Sequence, residues 1–458
     1  MCVSPSDEQV LILYKELFFR HLYAKMTPSV DDKFDSFQNY VDLFNMLLGL
    51  DTSDPAFELP ATWLWDMIDE FIYQFQTFHL FRNKVADLTE GEVTMLQDQP
   101  HMWSAQTVIQ YLHALVRKAG IDLSKKASEQ DPEADGKTIS PMFKSLGYFS
   151  LIGLLRVNAL LCDYPSALQS LAPLDLRKHR SLFTSVLSCH VSLYYFMGLS
   201  YLMCRRYVDA IKVFCYFLTY TQRNKHVIAR SSQVDLVQRR VDQMLGLLGI
   251  AYVLSGASNS SGSGNGDRDS AANALIDEAI FHDLRDKLDD KLGAMKSGDL
   301  GAFESVFGAS APKFLTVCAP KYEAAVNVHT DALQSQLRLF LGEVKSRTQI
   351  NDLYSYLKLF TTISIAKLAV FLHTDEDATL ALLLKLSHKS RSQRWVGGAP
   401  ADFVWQQLNE VHFTVVKDTI YVTEQRAARS FGNFFIRQIY KFDDLTRDCK
   451  TLRGTPRR

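Results

Sequence analysis

Residues 411–423, VHFTVVKDTIYVT, decide the fold, because the hydrophobic period of the chain changes here from three or four residues to two. Alternate residues from Val411 to Val415 are apolar, Lys417–Asp418 suits a turn, and Thr419–Thr423 continues the extended pattern. Apolar residues recur with a helical period over roughly the first 350 positions. The segment therefore predicts a small β-hairpin in a mostly α-helical chain.

Three helical patterns joined by short connections stand before the hairpin. Their apolar faces comprise Leu353, Leu357 and Phe360 in the first, Ile365, Leu368, Ala369 and Leu372 in the second, and Leu380, Leu383, Leu384 and Ser387 in the third. Three helices followed by a hairpin are typical of a winged helix, which we predict for residues 346–423.

The end of the third predicted helix is basic. In helix-turn-helix geometry this helix enters the groove of a nucleic acid, and here it is expected to end in a cationic run. The candidate RNA-contact residues are Lys385, Lys389, Arg391 and Arg394, with His388 among them. Cations also favour helix C-termini whatever the function, so the alternative is a solvated helix end. Any phosphate contact would be weak and auxiliary.

A helical pattern with one apolar seam occupies the last segment, residues 424–458. The seam positions recur at steps of four and three: Phe431, Phe435, Gln438, Phe442, Leu445, Cys449 and Leu452. A seam of about three heptads needs a covering partner to persist, which predicts a helix that joins a bundle with other chains. The helix could instead fold back on its own winged helix. Gln438, the polar seam position, is either a partner-selecting residue or a partly exposed core residue.

The segment 141–345 is predicted to be a helical-repeat stack. Gly198, Tyr201, Ala210 and Phe214 have tetratricopeptide spacing, in which two small residues meet and an aromatic ring fills the gap beside them. Leu155, Ala167 and Leu171 repeat the spacings of twelve and four residues seen from Gly198 to Phe214, but with residue types that fit the pattern less well. Unrelated packed helices therefore remain the alternative. Residues 255–270, SGASNSSGSGNGDRDS, are expected to form a flexible insertion within this domain.

Residues 1–140 are predicted to form an N-terminal α-helical domain. One buried stripe stands out after Pro60, a residue that a helix start tolerates. It comprises Leu64, Met67, Ile68, Phe71, Ile72, Phe75 and Phe78, opposite a face that carries Asp66, Asp69, Glu70 and Gln74.

Composition excludes several classes of function. The chain has 458 residues with 47% hydrophobic content, and 50 basic against 51 acidic residues give a net charge of -1. This balance provides no general attraction to a polyanion. The seven cysteines show no C-x-x-C pair, and the chain has neither a secretory leader nor a long apolar run, which favours a cytoplasmic protein without a membrane span. No catalytic, phosphate-binding or metal motif occurs, so we expect no enzyme, cofactor or metal.

Five long segments in order resemble one known family. They are LILYKELFFRHLYAK (11–25), ELPATWLWDMIDEFIYQFQTF (58–78), SLYYFMGLSYLMCRRYVDAIKVF (192–214), YLKLFTTISIAKLAVFL (356–372) and GNFFIRQIYKF (432–442). The family is subunit L of eukaryotic translation initiation factor 3. The resemblance implies a PCI architecture, a helical stack fused to a winged helix, with the PCI domain at roughly residues 205–425.

The same resemblance implies a non-catalytic scaffold subunit that supports initiation complex formation on the small ribosomal subunit. Winged helices of several subunits would align edge to edge, their C-terminal helices would form a common bundle, and subunits K and E would be neighbours. The implied interface residues are Phe431, Phe435, Gln438, Phe442, Leu445 and Leu452 of the last helix and Phe413, Val415 and Ile420 of the hairpin. A PCI scaffold of a proteasome lid or signalosome-like complex is the alternative, because fold alone does not separate these.

Overall fold

The computed structural model describes residues 5–49, 57–123, 140–176, 185–231, 233–255, 275–324, 326–395, 398–407 and 411–424, together with 438–439, 442 and 445–446. Within these ranges the chain is mostly α-helical, with short antiparallel strands near its C-terminus. The predicted fold class is thereby confirmed. The predicted insertion at 255–270 lies outside the described residues except for Ser255.

Most of the described residues up to 359 are in α-helices. They are α1 Pro5–Lys25, α2 Val30–Leu48, α3 Ala61–Arg82, α4 Glu90–Asp98, α5 Ala105–Lys118, α6 Pro141–Leu160, α7 Tyr164–Gln169, α8 Leu187–Met203, α9 Tyr207–Arg223, α10 Lys225–Ile228, α11 Val234–Leu254, α12 Glu278–Lys296, α13 Leu300–Ser310 and α14 Asp331–Leu359. Local chemistry fixes several ends: Ser29 with Asp32 and Thr89 with Glu92 form capping boxes, and Gly49 closes α2 with a left-handed φ of 69°.

Short strands alternate with two further helices after residue 360. The elements are β1 Thr362–Ser364, α15 Ile365–Leu372, α16 Glu376–Lys389, β2 Arg391–Arg394, β3 Val404–Gln407, β4 Val411–Val416 and β5 Thr419–Glu424. Strands β1, β5 and β4 form one antiparallel sheet in that order, and β2 pairs with β3.

The chain divides into two compact units. The first comprises residues 1–348 with 392–406, and the second comprises residues 349–391 with 407–458. The predicted boundary at residue 140 lies inside the first unit, where one continuous hydrophobic core extends from Val30 to Val344. The predicted start of the winged helix at residue 346 lies close to the end of that unit's long segment.

Helix α3 is largely buried in the core of the first unit. Every residue of its predicted stripe, from Leu64 to Phe78, is buried. Trp65 meets Phe149 of α6 edge-on at 5.7 Å between ring centroids, and Phe71 packs against Tyr40 of α2 at 5.2 Å. The predicted stripe therefore packs against α2 through Phe71, and Trp65, which the prediction did not include, packs against α6.

The tetratricopeptide spacing marks a real helical hairpin. Gly198 of α8 and Ala210 and Phe214 of α9 are buried together, and a Cβ built on Gly198 would lie 2.3 Å from the Phe214 ring. The ring thus occupies the space that a side chain at 198 would need. Leu155, Ala167 and Leu171, the weaker repeat, are also fully buried.

A buried polar chain connects α2 and α3. The Ser36 hydroxyl bonds to the Gln74 side-chain carbonyl, and the Gln74 amide donates to Glu70 at 2.9 Å. Burial, the largest effect, raises the pKa of the Glu70 carboxyl to about 7, and the hydrogen bond from Gln74 opposes the shift. The fold therefore favours protonated Glu70.

The second unit has its own small core. It comprises Ile350, Leu353, Leu357, Ile363, Ile365, Leu368, Leu382, Leu383, Leu386 and Ile420, with Phe413 and Val422 packed against it. The hairpin has the predicted turn: Val416 pairs with Thr419, and Lys417 adopts a left-handed φ of 52°. Residues of the three helices and of the hairpin thus share one core, and the three-residue strand β1 beside β5 was not predicted.

Two predictions about the helices of this unit were wrong in detail. The core face of α16 is formed by Thr379, Leu382, Leu383 and Leu386, whereas Leu384 is 64% exposed and Ser387 is exposed. Because leucines stand at most positions from 380 to 386, the sequence pattern does not show which face of the helix meets the core. Phe360 follows the end of α14 and is exposed, because that helix stops at Leu359.

Arg391 and Arg394 do not extend the third helix as predicted. Helix α16 ends at Lys389, and both arginines lie on β2. The segment 392–406 belongs to the first unit, where the Trp395 amide donates to Asp209 at 2.8 Å and the Tyr201 hydroxyl donates to the Pro400 carbonyl at 2.5 Å. Asp209 is itself buried and pairs with Arg206 at 3.0 Å. These hydrogen bonds hold the segment that follows α16 against the first unit, so the helix does not continue through Arg391 and Arg394.

The contact at Gly198 predicts sensitivity to one methyl group. Gly198→Ala should lower the free energy of unfolding by about 1–3 kcal/mol, because the buried Phe214 ring must move. The matched control is Gly342→Ala, at an exposed position within α14 with open space at Cβ, which should stabilise by about 0.5–1 kcal/mol. Urea denaturation measures both changes. Equal effects of the two substitutions would contradict the close helix approach.

The raised pKa of Glu70 predicts a pH-dependent stability. As pH rises above about 4.5, the unfolded chain ionises this carboxyl while the folded chain resists until about pH 7, so stability falls across this window. Glu70→Gln should therefore stabilise by about 2–3 kcal/mol more at pH 8 than at pH 5. Denaturant unfolding at the two pH values measures this. The exposed Glu304→Gln is the control and should show no such difference; a pH-independent effect of Glu70→Gln would refute the interpretation.

Candidate partner-binding surfaces

Strand β4 is one edge of the three-stranded sheet of the wing, and the short strand β1 is the other. Among the described strands of this sheet, β4 has only β5 as a neighbour, so its outer backbone groups face away from the ladder. Val415 and Val416 at its end are exposed, and Tyr421 on β5 is exposed beside them. Phe413 is partly buried against the core of the second unit. The hairpin therefore presents an apolar tip and an available strand edge.

Ile420 is not part of this surface, contrary to the prediction. Its side chain is fully buried, opposite Ile363 of β1 and Val415 of β4. Strand alternation explains the placement, since residues 420 and 422 point toward the helices while 421 points away. Ile420 holds the sheet to the helices of its own unit.

The described residues of the C-terminal seam are helical. Phe442 is 65% exposed and Leu445 is 57% exposed, and their neighbour Ile439 is also exposed. Gln438 is half-buried. Phe431, Phe435, Cys449 and Leu452 lie outside the described residues. At Phe442 and Leu445, the part of the chain that the structure describes therefore leaves the apolar seam exposed.

A stack of aromatic rings on the second unit was missed by the sequence analysis. The Phe371 ring of α15 lies 5.8 Å from Tyr356 and 6.1 Å from Phe360, nearly parallel to both. Val370 beside it is 70% exposed. The clue in the sequence is that Val370 and Phe371 follow the core residues Leu368 and Ala369 without any polar residue. Exposed apolar groups in this number mark a surface that a partner covers.

The predicted basic residues are divided between the two units. Lys385 and Arg391 are exposed and Lys389 is half-buried in the second unit, while Arg394 belongs to the first. The Arg394 guanidinium donates to the Gln406 side chain at 2.6 Å. Arg394 is thus engaged within its own sheet, and Lys385 and Arg391 are the exposed cations of the predicted set.

Within the described ranges, no group of three or more His, Cys, Asp and Glu side chains is arranged to hold a metal ion. Among the helices that the structure describes, none is both long and apolar enough to cross a bilayer.

Known proteins resemble this chain over nearly its whole length. Residues 32–442 match the family model described as RNA polymerase I-associated factor PAF67. The curated relatives include eukaryotic translation initiation factor 3 subunit L of Danio rerio, 40% identical over 456 residues that cover 98% of this chain and 76% of the relative. The proteins of the same name from Mus musculus and Homo sapiens are each 40% identical over 460 residues, covering 98% of this chain and 78% of theirs. The chain therefore belongs to the family of eukaryotic translation initiation factor 3 subunit L.

Proposed function

We propose that this chain is a non-catalytic scaffold subunit of translation initiation factor 3. It joins other subunits through the apolar surfaces of its second unit and supports initiation complex formation on the small ribosomal subunit in the cytoplasm. Family membership supports the assignment to the factor, since the relatives carry that name. The surfaces described above support the scaffold role.

The exposure of Phe442 and Leu445 is the observation that carries the proposal. Two large apolar side chains three residues apart share one face of a helix, and water contacts more than half of each. Covering such residues with a partner helix gains apolar burial that the isolated chain lacks. The C-terminal helix thus joins a helical bundle, and the edge strand β4 aligns with neighbouring winged helices.

Subunits K and E of the same factor are the proposed immediate neighbours, because the family resemblance implies a PCI architecture in which winged helices meet at their edges. Affinity purification of the tagged full chain tests the assignment. It should recover the other initiation factor 3 subunits and the small ribosomal subunit. Recovery of proteasome lid or signalosome subunits in their place would refute it.

The seam predicts a specific loss of assembly. Phe442→Asp with Leu445→Asp puts two charges where apolar burial is needed, so co-purification of the other subunits should fall by about tenfold or more. Quantitative mass spectrometry of the purified complex measures the loss. The helical circular dichroism of the isolated chain should stay unchanged, since both side chains are exposed.

Phe442→Leu is the matched control for this variant. It keeps an apolar group of similar reach and should retain assembly. A third variant, Val227→Asp, places a charge on an equally exposed apolar residue of the first unit and tests whether any surface charge has the same effect. Normal assembly of the double aspartate variant would overturn the role of the seam.

We also propose a weak RNA contact at Lys385 and Arg391, the exposed cations near the end of α16. Lys385→Glu with Arg391→Glu should weaken RNA binding only modestly and reduce the slope of log affinity against log salt by about 1.4 or less, as expected for two single-strand phosphate contacts. Filter binding of the purified complex at several salt concentrations measures this. An unchanged slope would favour the solvated helix end.

A further inference from the structure

A large groove opens in the first unit beside the end of α3. Its volume is about 840 Å³, within the range of sites that bind a ligand or a few side chains. We call it the basic groove, defined by the apolar residues Phe81, Phe314 and Leu333 and by the cations Lys33, Lys84 and Lys313. Lys33 lies on α2, Phe81 on α3 and Lys84 just after α3. Lys313 and Phe314 lie between α13 and α14, and Leu333 lies in the first turn of α14.

Long-range hydrogen bonds hold the two sides of the groove together. The Gln76 amide donates to the Lys313 carbonyl at 3.0 Å, and the Asn83 amide donates to the Thr316 carbonyl at 3.2 Å. Arg82 donates to the Val317 carbonyl at 2.6 Å. The end of α3 is thus fixed to a segment more than 230 residues later in the chain. A groove built this way is preorganised and loses little entropy on binding.

A buried histidine keeps Arg82 in place. His79 contacts the Trp103 carbonyl through Nε2 at 3.0 Å and Arg82 through Nδ1 at 3.0 Å. Burial, with the nearby Arg82 charge, lowers the pKa of His79 to about 3, so the ring is neutral. Neutral His79 therefore donates from Nε2 to the Trp103 carbonyl and accepts from Arg82.

The lining of the groove is basic in a chain of balanced charge. Three lysines and His329 line it, and no aspartate or glutamate is among its lining residues. Lys84 and Lys313 are exposed, and none of the ion pairs among the described residues involves either of them. The cations at the rim are consequently available to carboxylates of another molecule.

Lys33 is the deepest cation of the groove. Its ammonium donates to the carbonyls of Pro28 and Ser29 and lies 4.1 Å from the centre of the Phe81 ring. Burial lowers its pKa, and the charges of Glu92 and Asp32 oppose that shift. Both carboxylates are already committed to capping boxes, where each accepts two hydrogen bonds from Thr89 or Ser29. Lys33 is therefore held in the wall of the groove by its own backbone contacts, and the lysines left for a bound carboxylate are Lys84 and Lys313.

We propose that the basic groove binds a peptide segment of a partner protein that combines apolar side chains with several aspartates or glutamates. The apolar side chains pack against Phe81, Leu333 and the exposed Met26, which also lines the groove, and the carboxylates pair with Lys84 and Lys313. Cations on three separate elements call for several carboxylates, more than a single fatty acid supplies. No arginine lines the groove to form a bidentate fork with a phosphate, so an acidic peptide fits better than RNA.

Photo-crosslinking in the full chain identifies the occupant. Tyr73 lines the groove and is partly exposed, so Tyr73→p-benzoylphenylalanine places the crosslinker at the site in cells that assemble the protein normally. The same substitution at Tyr216, an exposed tyrosine on α9, is the control position. Sequencing of the crosslinked peptides should return a segment that contains acidic and large apolar residues. A crosslink to nucleotides, a crosslink to a segment without acidic residues, or no crosslink above the control would overturn the proposal.

A binding measurement then tests the charges. The crosslinked segment, made as a fluorescent peptide, should bind the purified full chain, and Lys84→Glu with Lys313→Glu should weaken binding by about tenfold. Lys144→Glu with Lys345→Glu changes the net charge equally at exposed sites outside the groove and should change affinity by less than about twofold. Equal losses in the two variants would show that only net charge matters and would refute the site. This test is independent of the seam variants, because it concerns the first unit alone.

Discussion

The packing of α3 is the constraint on which the first unit depends. Its aromatic stripe meets α6 through Trp65 and α2 through Phe71, and Gly153 of α6 allows a close approach, since a Cβ there would lie 3.0 Å from Ile68. Removing one buried aromatic side chain typically costs about 3–5 kcal/mol, against a net stability of about 5–15 kcal/mol for a folded domain. Two such losses in α3, about 6–10 kcal/mol together, would therefore remove most of a typical domain's stability.

In the described part of the second unit, fewer apolar residues are buried than in the first, and a larger share of the apolar residues is exposed around a small core. Its small core is surrounded by exposed apolar residues at the wing tip, on α15 and at Phe442 and Leu445. A small domain buries a lower fraction of its surface than a large one, so it gains more from a partner that covers such residues. The same physics explains why exposed apolar residues surround the small core of this unit, whereas the first unit has one large core.

The spacing of apolar residues correctly predicted those features that are set by residues close together in the sequence. The stripe of α3, the Gly198–Phe214 contact and the turn at Lys417–Asp418 were all visible, because each depends on spacing within one helix, one helical pair or one hairpin. The face of α16 was not, since leucines at 380, 382, 383, 384 and 386 fit more than one orientation. Ile420 was placed on the surface because a sequence does not show which side of a hairpin meets its helices.

Contacts between distant parts of the chain account for what the sequence could not predict. The strand at Arg391–Arg394 forms where the chain is anchored by Asp209, and nothing in the basic run itself distinguishes a strand from a helix end. The basic groove is hidden for the same reason, as its lysines stand at positions 33, 84 and 313 and meet only when α3 bonds to the later segment. The net charge of -1 is a sum over all charged residues and says nothing about where they lie. Recognition depends on how that charge is distributed, and folding concentrates three cations at one groove without changing the sum.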